Sequence, residues 1–313
     1  MILAIVGPTA VGKSEVAVFL AENLKGEIIN FDSLQFYKYL DIGTAKPSKD
    51  LRKKIPHHLF DILEPHEEFN AAEFVKLADR VVKEVQERNH LPILVGGTGL
   101  YLRAFEYGLF PVEVPKEIRF QIRKRAEEDL QALYNELLSL DYEYAKKISP
   151  KDKVRITRAL EVIYATSKPF SQYHKEHPFF EKKRYNILKI GLNLERKELY
   201  QRINQRVIKM IEEGWIDEVK FLLEKGYRED AKCFKAIGYK YLIKYLQKKL
   251  SLDEAIRLIQ RDTRHYAKRQ ITWFKKEKDI YWFSPFEKEK ILSFVKNKLE
   301  EESLGKYDRL WQR

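Results

Sequence analysis

The sequence predicts an α/β fold in which a parallel-sheet core flanked by helices is interrupted by an all-helical insertion. Three observations predict it. Short apolar runs alternate with amphipathic stretches through the first third of the chain, as in a sheet built by crossovers. The glycine-rich stretch GPTAVGKS, residues 7–14, follows directly on the first of these runs. A charged, helical stretch with no strand signal, residues 113–183, separates the early runs from a later one at residues 185–192.

The elements follow in order. Ile2 to Val6 is a strand, and after the loop residues 14–24 form a helix. Residues 27–31 form a second strand, followed by an irregular stretch to about residue 70, a helix at 71–88 and a strand at 92–95. Gly96, Gly97, Thr98 and Gly99 then follow the apolar run Ile93-Leu94-Val95. Loops at the carboxyl ends of parallel strands bind ligands, so residues 7–14, Asp32 and Thr98 are expected to face one crevice. Pro111 and Pro115 bracket a change of character, which divides the chain into a core of residues 1–112 and 184–313 and a helical insertion of residues 113–183. After the strand at 185–192, helices at 197–213 and 216–225 end at Gly214 and Gly226. A helix at 253–276 opens with Ser251-Leu252-Asp253-Glu254, a capping-box spacing.

Composition bounds the partners. Hydrophobic residues make up 44% and charged residues 34%, which excludes a disordered chain, and 313 residues suffice for one large or two modest cores. The apolar runs are too short to span a bilayer, and Met1 leads straight into the first strand, so a cytoplasmic protein that does not engage membranes is expected. Cys233 is the only cysteine; it excludes an internal disulfide and a thiolate zinc cluster and reads as a packing residue. The net charge of +12 fits a polyanionic partner and equally a basic proteome, so the placement of the charges has to decide.

The loop carries the first chemistry. Its backbone N–H groups and the amino end of helix 14–24 offer partial positive charge to phosphate oxygens. Lys13 adds a full charge and the Ser14 hydroxyl can hold Mg²⁺, so a di- or triphosphate with magnesium is the expected ligand of a P-loop NTPase-like core. Asp32, in NFDSLQFY at residues 30–37, stands at the end of the second strand. A carboxylate there can ligate magnesium, act as a general base or cap a turn; its position favours the two chemical roles. His57 and His58 invite a metal reading, but with no third ligand in sequence they read as structural.

Further motifs are more specific. DIGTAKP (41–47), PHHLFDI (56–62), FNAAEF (69–74), GGTGLYLRA (96–104), RALEV (158–162), AIGYK (236–240) and YAKRQITWF (266–274) occur in order with GPTAVGKS and DSLQFY. Together they closely resemble the tRNA dimethylallyltransferase family, also called tRNA isopentenyltransferase, from Gly7 to about Phe274. The resemblance implies that the loop grips the diphosphate of dimethylallyl diphosphate and that the dimethylallyl group goes to N6 of adenosine 37 in tRNAs reading codons that begin with U. The products would be N6-dimethylallyladenosine and diphosphate.

By motif match, Asp32 becomes the general base, and with Ser14 it can hold magnesium. The diphosphate site comprises Gly7, Pro8, Thr9, Ala10, Val11, Gly12, Lys13 and Ser14, with Arg206 of RINQRV as a further contact. The tRNA would meet Asp32, Ser33, Leu34 and Gln35, together with Thr98 and Arg119. Further matching stretches are Val154, Arg155, Ile156, Thr157 and Arg158; Lys235, Ala236, Ile237, Gly238, Tyr239 and Lys240; and Lys268, Arg269, Gln270, Ile271, Thr272, Trp273, Phe274 and Lys275. Val11 and Ser14 stand where Ser and Thr are more usual in the family; Ser14 keeps the hydroxyl. The zinc-finger extension of eukaryotic members is missing, which points to the bacterial form, expected to act as a monomer.

The residues themselves agree with this chemistry. An allylic diphosphate ionises readily, so departing charge must be stabilised, which Lys13, Arg206, magnesium and a helix amino end can do. The adenine amine is a weak nucleophile that a nearby carboxylate strengthens, and its base must leave the anticodon-loop stack to reach the donor. Arg257, Arg261, Arg264 and Lys268 fall at helical spacing as one basic stripe, with Ile256, Ile259, Thr263, Ala267 and Ile271 on the opposite, buried side. Tyr266, Trp273 and Phe274 suit base stacking or the core, and at least one is expected in the core. The insertion, with Arg119, Arg123, Lys124, Arg125, Arg155 and Arg158, would clamp the far side of the anticodon stem.

Three competing readings differ in what they leave unexplained. A P-loop kinase of a nucleotide or small metabolite accounts for residues 7–14 and Asp32 but gives the basic helix no role. Prenyl transfer to free AMP or ATP needs no insertion of this size. A non-catalytic RNA-binding protein would make Lys13 and Asp32 expendable.

Overall fold

In the computed structural model, which describes residues 1–109, 112–176 and 182–311, the chain falls into two compact units, residues 1–106 with 185–313 and residues 107–184. The first unit is built on one six-stranded sheet. Its strands are β1 (Ile2–Val6), β2 (Gly26–Asn30), β3 (His57–His58), β4 (Leu91–Val95), β5 (Ile187–Leu192) and β6 (Ile280–Phe283), in the order β3-β2-β4-β1-β5-β6. Every pairing is parallel, with Ala4 of β1 level with Leu94 of β4 and with Lys189 of β5.

Both faces of this sheet are covered, which is why β1 and β4 are apolar throughout, while β2 and β5 bury Glu27 and Lys189 against Arg88 and Glu106. Leu3 and Ile5 of β1 point into a core shared with α1 (Lys13–Leu24), while Ile2, Ala4 and Val6 point the other way. That second face is covered by α3 (Ala71–Glu87) and α4 (Gly99–Tyr107). Between β2 and α3 the chain adds the short α2 (Lys49–Lys54) and the two-residue edge strand β3. The sequence pattern missed both, because a strand of two residues has no alternation to detect.

The other unit is helical: α5 (Lys116–Glu128), α6 (Leu130–Leu140), α7 (Tyr142–Ala145), α8 (Lys153–Thr166) and α9 (Phe170–Glu176) enclose their own core around Leu133, Leu137, Ile156 and Leu160. In the first unit, α10 (Arg196–Glu212), α11 (Trp215–Glu224), α12 (Tyr239–Leu246) and α13 (Leu252–Phe274) form a third core around Trp215, Val219, Leu242 and Ile259. β6 and α14 (Lys288–Trp311) close the unit. β6 was not anticipated, since Tyr281 and Trp282 at the sheet edge are partly exposed and carry no alternating pattern. At the start of α13, Ser251 caps through its hydroxyl, which accepts the Glu254 N–H at 3.2 Å.

Candidate active site

The site lies at the carboxyl ends of β1, β2 and β4. The loop after β1 turns with Gly7 at φ +145° and Ala10 at φ +65°, and α1 starts at Lys13. A side chain at Gly7 would put its Cβ 2.6 Å from the Leu192 carbonyl oxygen, so close strand packing demands glycine there. Lys13 bends back over the loop and donates to the Gly7 and Pro8 carbonyls at 3.0 and 2.8 Å. Gly7, Pro8 and Val11 are themselves buried, and Val11 packs into the core beneath the loop. The loop therefore presents Thr9, Ala10, Gly12, Lys13 and Ser14 to a cleft of about 1160 Å³.

Asp32 faces the same cleft from the turn after β2. The turn is built by side chains. Asn30 Oδ1 accepts the Asp32 N–H at 2.8 Å, Asn30 Nδ2 donates to the Leu59 carbonyl at 3.0 Å, and Asp32 Oδ1 accepts the Leu34 N–H at 3.1 Å. Asp32 thus caps a turn through one of its two oxygens, Oδ1. Thr98 fastens this turn to the loop after β4: its hydroxyl oxygen accepts the Ser33 N–H at 3.1 Å.

Arg206 of α10 adds a further positive charge beside Lys13 and Asp32. Burial pushes the Lys13 ammonium down to about 8, against an upward pull from Asp32 and a further downward push from Arg206. Burial raises the Asp32 carboxyl, although the Leu34 N–H, Lys13 and Arg206 pull it back. Burial likewise lowers Arg206, which Asp32 counteracts. Lys13, Asp32 and Arg206 therefore form one electrostatic cluster at the amino end of α1, where backbone N–H groups favour an anion.

The far wall of the cleft is residues 41–48, which Glu218 holds in place. Its carboxylate accepts the N–H groups of Asp41, Ile42 and Gly43 at 2.7, 2.6 and 3.1 Å and the Tyr239 hydroxyl at 2.6 Å. Gln35 Nε2 donates to the Thr44 carbonyl at 2.9 Å, so its amide nitrogen is spent on this wall. Lys46, with its side chain 1% exposed, ties Asp41 to Asp61.

The residues proposed from sequence for RNA divide by burial. Lys235, Lys240, Lys268, Arg269, Thr272 and Lys275 are exposed, and Ser33, Leu34, Ile237, Ile271 and Trp273 are partly buried. Ala236, Gly238, Tyr239, Gln270 and Phe274 lie inside. Tyr239 opens α12 and packs on Trp215. Of the basic stripe on α13, Arg257, Arg261 and Lys268 are exposed, while Arg264 turns in to donate to Asn204 Oδ1 at 2.6 Å. Within the helical unit, Val154 and Arg155 are exposed on the first turn of α8, with Arg119 and Arg158 half-buried. Ile156 and Thr157 are buried.

The sequence reading missed Glu218, which carries no motif, and Arg202. Arg202 lines the cleft one turn before Arg206 and stacks on Phe286 at 4.9 Å; its spacing from Arg206 was the available signal. Cys233 is buried, and burial pushes its thiol up to about 11, as suits packing. His57 Nδ1 bonds the Ile55 carbonyl and His58 Nε2 bonds Glu27, so both histidines are structural. Among the described residues no group of three or more His, Cys, Asp or Glu side chains is arranged for a metal, and no helix is long and apolar enough to cross a membrane. Ser14 and Asp32 still offer hard oxygen donors on one cleft, the usual protein share of a magnesium site completed by phosphate and water.

A family model described as IPP transferase matches residues 35–277. The chain is similar to the tRNA dimethylallyltransferase of Geobacter sulfurreducens, with 48% identity over 286 residues, 90% of this chain and 91% of the relative. It is also similar to that of Halothermothrix orenii, with 46% identity over 288 residues, 90% of this chain and 87% of the relative. Among solved structures, the full-length tRNA isopentenylpyrophosphate transferase from Bacillus halodurans matches with a TM-score of 0.73 and 40% identity, covering 98% of this chain and 99% of that one. A eukaryotic dimethylallyltransferase acting on tRNA matches with a TM-score of 0.78 and 31% identity, covering 91% of this chain and 73% of that one. The parallel-sheet core with its phosphate loop is the P-loop NTPase-like fold of these enzymes.

Proposed function

We infer the mechanism from the premise that this chain belongs to the IPP transferase family, the tRNA dimethylallyltransferases, and is a prenyltransferase that modifies tRNA. The donor is dimethylallyl diphosphate, held by the loop at residues 9–14 with Lys13 and Arg206. The acceptor is N6 of adenosine 37 in tRNAs reading codons that begin with U. The observation that carries this reading is the convergence of Lys13, Asp32 and Arg206 on one cleft at the amino end of α1.

The reaction breaks the bond between C1 of the prenyl group and the diphosphate oxygen, and forms one between C1 and N6. The electron pair of the broken bond leaves on diphosphate. Lys13, Arg206 and the N–H groups at the start of α1 stabilise that charge without rearranging. Asp32 Oδ2 takes the proton that N6 sheds, while Oδ1 stays fixed by the Leu34 N–H. Magnesium, which Ser14 and Asp32 would hold, neutralises charge on the diphosphate when bound.

The exposed cations Lys235, Lys240, Lys268, Arg269 and Lys275 are proposed to contact tRNA phosphates, with Arg119, Val154, Arg155 and Arg158 of the helical unit gripping the anticodon stem-loop. The base is expected to flip out of the stack to reach Asp32. We further propose that the protein acts as a cytoplasmic monomer. A kinase is not favoured, because the matching family and relatives are transferases of prenyl groups to tRNA.

The test is incorporation of label from dimethylallyl diphosphate into an adenosine-37-containing anticodon stem-loop, with free AMP and ATP plus a nucleoside as parallel acceptors. Transfer to the stem-loop alone is expected. Transfer to AMP, or phosphate transfer from ATP, would overturn the reading.

A further inference from the structure

We propose that Gln270 is a positioning residue that locks the diphosphate loop to the glycine-rich loop after β4, fixing the spacing between the leaving group and the Asp32 turn. The inference rests on the function proposed above. Gln270 belongs by motif to the stretch expected to meet RNA, yet it is 4% exposed while Lys268, Arg269 and Thr272 around it point outward. Its Oε1 accepts the Thr9 N–H at 2.8 Å, and its Nε2 donates to the Gly97 carbonyl at 3.0 Å. One planar amide thereby joins α13 to the loop after β1 and to the loop after β4.

Only one orientation of that amide satisfies both partners; flipped, it would set N–H against N–H and oxygen against oxygen. Gly97 is shaped to receive it, since a Cβ there would fall on Gln270 Nε2 well inside van der Waals contact. The strut also continues toward the base. Thr98, the next residue, accepts the Ser33 N–H, and Ser33 follows Asp32. With its N–H committed to Gln270, Thr9 can meet the anion only through its side chain, and the N–H groups further along the loop are left for the phosphates. The buried side of the RNA-facing stretch therefore sets the donor site, so one helix serves both substrates.

The experiment compares wild type with Gln270→Met, which keeps the length but removes both hydrogen bonds, with Gly97→Ala, which displaces the amide without changing its chemistry, and with the double variant. Affinity for inorganic diphosphate, affinity for the anticodon stem-loop, and kcat and KM for transfer are measured on each, with thermal melts to set the folded fraction. The expected result is roughly tenfold or greater loss in diphosphate affinity and in kcat for each single variant, because small misplacements of reacting groups are costly. Stem-loop affinity stays within about twofold, and the double variant is no worse than the worse single one, as for residues sharing one interaction.

If Gln270→Met fails to fold, Gly97→Ala alone gives the same readouts. Weaker stem-loop binding with unchanged diphosphate affinity would make Gln270 an RNA contact and overturn the proposal. Losses that multiply in the double variant, or no loss in the singles, would also overturn it. A purely structural role would lower the melting temperature without changing the diphosphate affinity of the folded protein. Both affinities are read without turnover, so a wild-type protein unable to prenylate would defeat the proposed function and leave this inference to be decided by binding.

Discussion

The hydroxyl oxygen of Thr98 accepts the Ser33 N–H at 3.1 Å, which fastens the turn carrying Asp32 to the loop after β4. The same hydroxyl donates to the Ser33 side-chain oxygen at 3.4 Å, so Thr98 holds Ser33 through both backbone and side chain. Thr98→Val keeps the shape and removes the hydroxyl. A hydrogen bond of this kind contributes about 1 kcal/mol, so kcat is expected to fall about fivefold. Steady-state kinetics check it.

The cluster of Lys13 and Asp32 sets the pH dependence. Asp32 must be ionised to accept a proton, and burial raises its carboxyl above the ordinary carboxylate range, so the acid limb of kcat/KM for the donor should lie above pH 3.8. Lys13 must be protonated to hold diphosphate, and burial brings it to about 8, so the alkaline limb should lie near pH 8. Lys13→Arg keeps its charge at high pH, and it should move the alkaline limb upward at reduced activity. A pH–rate profile of both proteins gives the answer.

Glu218 and Tyr239 are expected to matter for stability and for the cleft wall together. Glu218→Ala leaves three backbone N–H groups and a buried tyrosine hydroxyl without their acceptor, which should cost about 2–4 kcal/mol in urea unfolding. Tyr239→Phe removes one hydrogen bond to a charged group and should cost about 1.5–3 kcal/mol. Equal stability of Glu218→Ala and wild type would mean that residues 41–43 do not depend on this carboxylate.

At the amino end of β2, Glu27 gathers Arg88, His58 and His90. Arg88 bonds it twice, at 2.9 and 2.8 Å, and the two imidazoles lie at 2.6 and 2.7 Å. The Arg88 bonds, aided by both histidines against the cost of burial, bring the Glu27 carboxyl down to about 2. Because the folded value lies below the unfolded one, its contribution to stability is full above pH 4.5 and is lost as the pH falls toward about 2. Glu27→Gln should be less stable than wild type at pH 7, and the difference should shrink across that window in thermal melts. A difference constant with pH would remove Glu27 as the source.

The central elements were legible because their signals are local. Ile2 to Val6, Ile93 to Val95 and the glycines between them announce a buried strand and a phosphate loop by composition alone, and Asp32 follows from its place after the second strand. β3 and β6 left no such trace: a two-residue strand and a half-exposed edge strand exist through pairing with β2 and β5 and not through their own pattern. The site divides in the same way. Lys13, Asp32 and Arg206 were found through motifs, whereas Glu218 acts across 175 or more positions of sequence on a wall it never neighbours in the chain. That Gln270 and Tyr239 turn inward was not legible, because motif membership does not distinguish the outward side of a helix from its inward side; burial does.

The most direct test of the central claim, that Asp32 is the base beside a diphosphate held by Lys13, is a single-turnover assay of dimethylallyl transfer by Asp32→Asn with saturating donor and stem-loop. The account predicts a rate reduced by roughly a hundredfold or more, the range general-base catalysis supplies, with the affinities for inorganic diphosphate and stem-loop retained. A transfer rate equal to wild type would contradict it, because the proton of N6 would then be leaving to some other group.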